Sequence, residues 1–171
     1  MTTNAKRPAV DGTGRDDPVR RTETLSVIEP GIARDEVDAG GRGGAVAYPY
    51  RAYRGTATMS RRFLDDRVEE YVVTVDRSRR LTLRADTFPE PVTRTVDDVL
   101  VLPSEVTASQ CTEMARDAVF KWTLRKFSLS STPDIDIEDP VDVYKLFWLV
   151  EREGRDVIVD SVDGTERPLE D

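Results

Sequence analysis

The sequence predicts an α+β fold, a twisted antiparallel sheet packed against one main helix at about residues 105–127. Three observations carry this. Apolar residues recur at every second position, Tyr71, Val73 and Val75 and again Leu81, Leu83 and Ala85, the two-residue period of strands. Cys111, Ala115, Ala118, Val119 and Trp122 fall at the three-and-four spacing of one helix face. Residues 143–150 are apolar on both faces, which suits a strand in the middle of a sheet. With 171 residues, 38% of them hydrophobic, the chain can bury one modest core and is short for two.

In chain order, residues 1–44 read as an unstructured tail and a glycine-rich hinge. They hold seven of the ten glycines and no aromatic residue, and they end in Gly40-Gly41-Arg42-Gly43-Gly44. A short apolar patch at 25–28 is cut off by Pro30 and Gly31. A single domain is expected over 45–166, with an acidic end at 167–171. Val46, Tyr48 and Tyr50 start its first strand. Tyr71, Val73 and Val75, a turn at 76–79, and Leu81, Leu83 and Ala85 form a hairpin. Residues 92–96 make a further strand, and 99–102 a short buried extension ending at Pro103.

Ser104 opens the helix, with Thr107 and Gln110 spaced as a capping box. Glu113 and Asp117 lie early, and Lys121, Arg125 and Lys126 late, as the helix dipole favours. The stretch 128–133 ends it and an acidic loop follows over 134–142. After the strand at 143–150, a turn around Gly154 returns the chain through 157–159. The stretch from the helix through Tyr144-Lys145-Leu146-Phe147-Trp148-Leu149-Val150 to Val157-Ile158-Val159-Asp160-Ser161-Val162-Asp163-Gly164 resembles the PepSY-type helix-plus-hairpin, over about sixty residues. That family is usually exported and binds or restrains peptidases. Here Asp163-Gly164 stands where Thr-Gly is common, so the resemblance implies a fold more than an activity.

Residue absences narrow the chemistry. No histidine is present, so no imidazole acid or base, no Ser-His-Asp triad and no His-containing zinc site can be built. The single cysteine, Cys111, lies on the apolar helix stripe and reads as core. No glycine occurs between Gly55 and Gly154, which excludes Walker and dinucleotide loops there. The residues two before each lysine are Asn4, Val119, Leu124 and Val143, none of them acidic, so the PD-(D/E)xK nuclease pattern fails. The residues three before are Thr3, Ala118, Thr123 and Asp142, so no Ser-x-x-Lys nucleophile exists. The acids at 134–142 put Asp139 and Lys145 where an EF-hand needs Gly and Glu, and read as a solvated loop. No catalytic residue, metal site or cofactor is assigned.

Charge carries the remaining information. No run approaches the roughly 18 apolar residues of a membrane span, and the first thirty residues lack the apolar core of a secretory signal, so the expected compartment is the cytoplasm. The net charge is −8, and 21 of the 25 basic residues are arginine. Acid excess with arginine in place of lysine resembles the proteins of salt-loving archaea, where molar salt shortens the Debye length to about 3 Å and carboxylates keep the surface hydrated. Against that background, residues 51–94 hold ten arginines and seven acids, a basic island. Within and beside it, Tyr50, Arg51, Tyr53, Arg54, Arg80 and Arg84 form a candidate anion or nucleic-acid surface of guanidinium forks and aromatic faces, although the favoured reading pairs these arginines with neighbouring acids and puts the tyrosines in the core. Two functional readings follow. The first is a non-catalytic protein-interaction or accessory module whose partner is another protein; the alternative is single-stranded nucleic-acid or anionic-ligand binding by that Arg/Tyr surface.

Overall fold

The computed structural model describes residues 20–37, 43–129 and 131–169. Strand β1 covers Arg21–Val27, the single-turn helix α1 Arg34–Val37, and β2 Gly44–Arg61. They are followed by β3 at Leu64–Asp76, β4 at Leu81–Ala85 and β5 at Val92–Val101. The long helix α2, Ala108–Lys126, precedes β6 at Asp134–Ile137, β7 at Val141–Arg152, β8 at Arg155–Asp160 and β9 at Glu166–Pro168.

Eighteen-residue β2 is the spine of the molecule. One of its edges carries β7 over residues 44–52 and then β6 over 55–58. Its other edge carries β5 over 45–47 and β3 over most of 50–61. The full order is β4-β3-β2-β5-β1-β7-β8-β9, with β6 on β2. This corrects the predicted fold class: among the described residues the molecule is predominantly one nine-stranded mixed sheet with a single long helix, in place of an all-antiparallel sheet. Two ladders are parallel, β2 with β5 and β1 with β7 at Val27 and Tyr144. Alternation marks a strand but says nothing about the direction of its neighbour.

The extra β2–β7 ladder closes a ring. β2 pairs β5, β5 pairs β1, β1 touches β7, and β7 returns to β2. Its interior is filled by Val27, Val96, Val99, Leu146, Trp148 and Val150. Room for the two largest of these comes from β2, where Ala45 lies opposite Trp148 and Ala47 opposite Leu146. Small residues facing large ones let the strands crowd without voids. On the outer face Tyr48 meets Phe147 edge-on at 4.8 Å, beside Tyr50, Val143 and Ile158.

The closure depends on a segment expected to be unstructured. Within residues 1–44, β1 supplies the fully buried Val27 and the half-buried Leu25 to the ring, so the apolar patch before Pro30 is a docked strand. Two inward residues are too short a pattern to stand out among the polar residues around them. Residues 1–19 and 38–42, and with them most of the expected tail and hinge, lie outside the described residues.

Beyond residue 52, β2 leaves the ring and is covered by α2. Thr107, three residues after the expected opener Ser104, is the N-cap, and its capping box with Gln110 is closed from both sides. Cys111, Ala115, Ala118 and Val119 then pack on Tyr53, Ala57, Tyr71, Val73 and Val75. Ile135 and Ile137 join this cluster from β6, while Asp134 and Asp136 point outward, so residues expected as an acidic loop begin with a strand. No residue of β7 or β8 belongs to this cluster, so helix and hairpin do not form one packed unit.

Helix and sheet approach most closely at Gly55. A Cβ there would sit 2.8 Å from Val119 Cγ2 and 3.2 Å from Ile137 Cδ1. Gly55→Ala is expected to cost about 1–3 kcal/mol by overpacking. Part of that returns in Gly55→Ala/Val119→Ala, because the clashing methyl is gone. Urea denaturation of both variants checks this, and additive losses would mean that Val119 is not the obstacle.

Candidate functional site

The six residues of the candidate surface do not converge. Tyr50 and Tyr53 are 4% and 1% exposed, so neither ring is free to stack on a ligand. Burial, reinforced by the charge of Asp76 and opposed by Arg79, pushes the Tyr50 hydroxyl up to about 12. Tyr53 shares a hydrogen bond of 3.1 Å with Thr112. Arg51 is engaged by Asp142 through two bonds of 2.7 and 3.0 Å, and that pairing raises its already high pKa. Neighbouring strand positions alternate faces, which puts Tyr50 and Arg54 on one side of β2 and Arg51 and Tyr53 on the other. Arg54 lies over the Phe88 ring at 4.2 Å.

Arg80 lines a cleft beside α2, while Arg84 lies outside that lining. Arg80 closes the β3–β4 turn with a positive φ of 57°. Register pairs Arg84 with Val73 and Leu83 with Thr74, so Arg84 shares the α2 side of the sheet, its guanidinium 4.9 Å from the Tyr71 ring centre. Leu81 and Leu83 remain 45% and 41% exposed. The core side of β4 is therefore the reverse of what its leucines suggest, because α2 lies over β2 and β3 and barely reaches β4.

That shortfall leaves an open cleft between α2 and β4. It has two parts that share Arg80, Met114 and Asp117, one of about 580 Å³ between α2 and the β3–β4 turn and one of about 390 Å³ that reaches Leu81 and Thr82 of β4. Met114 and Trp122 form an apolar floor, Trp122 lying 5.9 Å from Tyr71. Arg80, Arg116, Lys121 and Arg125 stand around it against Glu113 and Asp117. Asp117 is itself paired with Lys121 at 3.5 Å. The outer wall of the smaller part is the start of β4, which among the described residues pairs only with β3 and presents an open edge. Trp122 belongs to the stripe that predicted the helix, and nothing in its spacing told a groove floor from a core position; Met114 is not part of that stripe.

No known protein family, curated protein or solved structure matches this chain. Function therefore has to be read from the site itself. Among the described residues, no group of three or more Cys, Asp or Glu side chains is placed to share a metal ion, and no helix is long and apolar enough to cross a membrane. Cys111 sits in the helix–sheet core, where burial raises its thiol pKa, with Arg77 opposing. A thiol so held is a poor nucleophile.

Proposed function

We propose that this chain is a non-catalytic protein-interaction module of the cytoplasm, whose cleft between α2 and β4 takes an extended acidic segment of a partner protein. The observation that carries this is the open edge of β4 beside a basic-rimmed, apolar-floored cleft. An added strand satisfies the free edge groups of β4 with main-chain hydrogen bonds, while every second side chain enters the cleft. Four cations against two acids on the rim, in a chain of net charge −8, favour carboxylates on the incoming strand. The hydrogen bonds are little affected by salt, so the acidic side chains act chiefly on selectivity and on-rate.

The test uses a labelled peptide of alternating glutamate and valine as probe, titrated by NMR against the full chain. Shifts confined to β4 and the adjoining face of α2, with slowed amide exchange over 81–85, are expected. Lys121→Glu/Arg125→Glu, at two exposed rim positions, should weaken binding about tenfold or more through like-charge repulsion. Absence of binding at low salt, or shifts located elsewhere, would overturn the reading.

A further inference from the structure

The far end of β2 carries a second basic feature. β2 and β3 join through a tight turn in which Phe63 has a φ of 66° and is 95% exposed, with Leu64 beside it 65% exposed. Arg61, Arg62 and Arg67 flank this tip and, with Lys126, Ser60 and Ser128, line a cleft of about 410 Å³ against the end of α2. Lys126 is neutralised by Glu69. Among the described residues, none of the three arginines has a carboxylate within 4.0 Å. Three guanidinia without a carboxylate partner thus share one cleft beside an exposed aromatic ring.

Each arginine rests on a different support. Arg61 Nε donates to the Asp65 carbonyl at 2.8 Å, Arg62 lies 5.5 Å from the Phe63 ring centre, and Arg67 lies 4.9 Å from that of Phe127. They are spread around the tip, an arrangement that suits successive anions along a polymer better than one clamped ion. Guanidinium forks match phosphate oxygens, and an aromatic ring beside them offers a face to a base.

We propose that the β2–β3 tip binds single-stranded nucleic acid, with Arg61, Arg62 and Arg67 on consecutive phosphates and Phe63 stacked on a base. The site is separate from the cleft beside β4 and does not depend on it.

Fluorescence anisotropy with labelled oligothymidylate, from low to molar salt, tests this on the full chain. Three phosphate contacts predict a slope of log K against log salt of about −2, falling to about −1.4 for Arg67→Ser. Phe63→Ala should weaken binding roughly 5- to 150-fold with the slope unchanged, since stacking releases no counterions. All four side chains are exposed, so thermal melts of these variants should match the parent. No binding at low salt would overturn the proposal, as would binding indifferent to Phe63 and Arg67 or lost only in Lys121→Glu/Arg125→Glu. Equal affinity for dextran sulfate or phosphatidylserine vesicles would also overturn it, by showing a generic polyanion or lipid surface.

Discussion

Asp76→Ala is expected to remove about 2–4 kcal/mol of stability, the cost of deleting a buried carboxylate and stranding the donors that share it. Asp76 is 0% exposed at the end of β3. Its Oδ1 accepts from the backbone N–H groups of Ser78 and Arg79 at 3.0 Å each and from Ser78 Oγ at 2.8 Å. Its Oδ2 accepts from Arg79 Nε at 2.6 Å. One carboxylate thus folds the turn between β3 and β4 back on itself, as short acidic side chains do in turns. It also fixes Arg79, whose guanidinium lies 4.7 Å from the Tyr48 ring centre and donates to Tyr50 Oη at 3.3 Å. Alanine strands two backbone donors and leaves Arg79 against the aromatic face without its counter-charge. Asp76→Asn keeps an acceptor for the turn and loses only the charge, so it should cost clearly less. Urea denaturation of both variants checks the order, and a loss below about 1 kcal/mol for alanine would show that the turn does not rely on this side chain.

This turn also shows how unevenly the sequence reports its fold. The hairpin was legible from the alternation of Tyr71, Val73 and Val75, and α2 from the spacing of Cys111 to Trp122, because both signals are local and repeat within a few residues. The acid at the start of the turn was visible; its burial was not, since a charged residue in a polar stretch gives no sign that four donors will surround it. Direction and closure were equally hidden. That β5 runs parallel to β2, and that β1 completes a ring, depend on pairings such as Val99 with Ala45 and Val27 with Tyr144, far apart in the chain. The scatter of the candidate surface has a related cause. Tyr50, Arg51, Tyr53 and Arg54 are neighbours in sequence, and a strand sends neighbours to opposite faces. The tip arginines at 61, 62 and 67 lay inside the same basic island, yet only the hairpin and the end of α2 bring them around one cleft.

Trp148→Ala is expected to cost about 3–5 kcal/mol and to loosen β1 more than any other strand. Trp148 is buried within the ring, opposite Ala45 of β2 on one side and Val159 of β8 on the other. Alanine there would face alanine, leaving a cavity that β2 has no side chain to fill. The indole also donates from Nε1 to the Ile32 carbonyl at 2.8 Å, tying down the segment that follows β1. This tie matters because β1 meets β7 at one ladder position, Val27 with Tyr144, supported by Ile28 N–H donating to Tyr144 O at 3.0 Å. Trp148→Phe separates the two roles: it keeps most of the apolar filling and loses the hydrogen bond, so a smaller loss dominated by the Ile32 carbonyl is expected. Amide hydrogen exchange gives the decisive reading. In Trp148→Ala, protection over 22–27 should fall before that of β3, which lies outside the ring. If β1 stays as protected as in the parent while overall stability drops by less than about 1.5 kcal/mol, β1 is held by β5 alone and the ring is not the cooperative unit that its ladders describe.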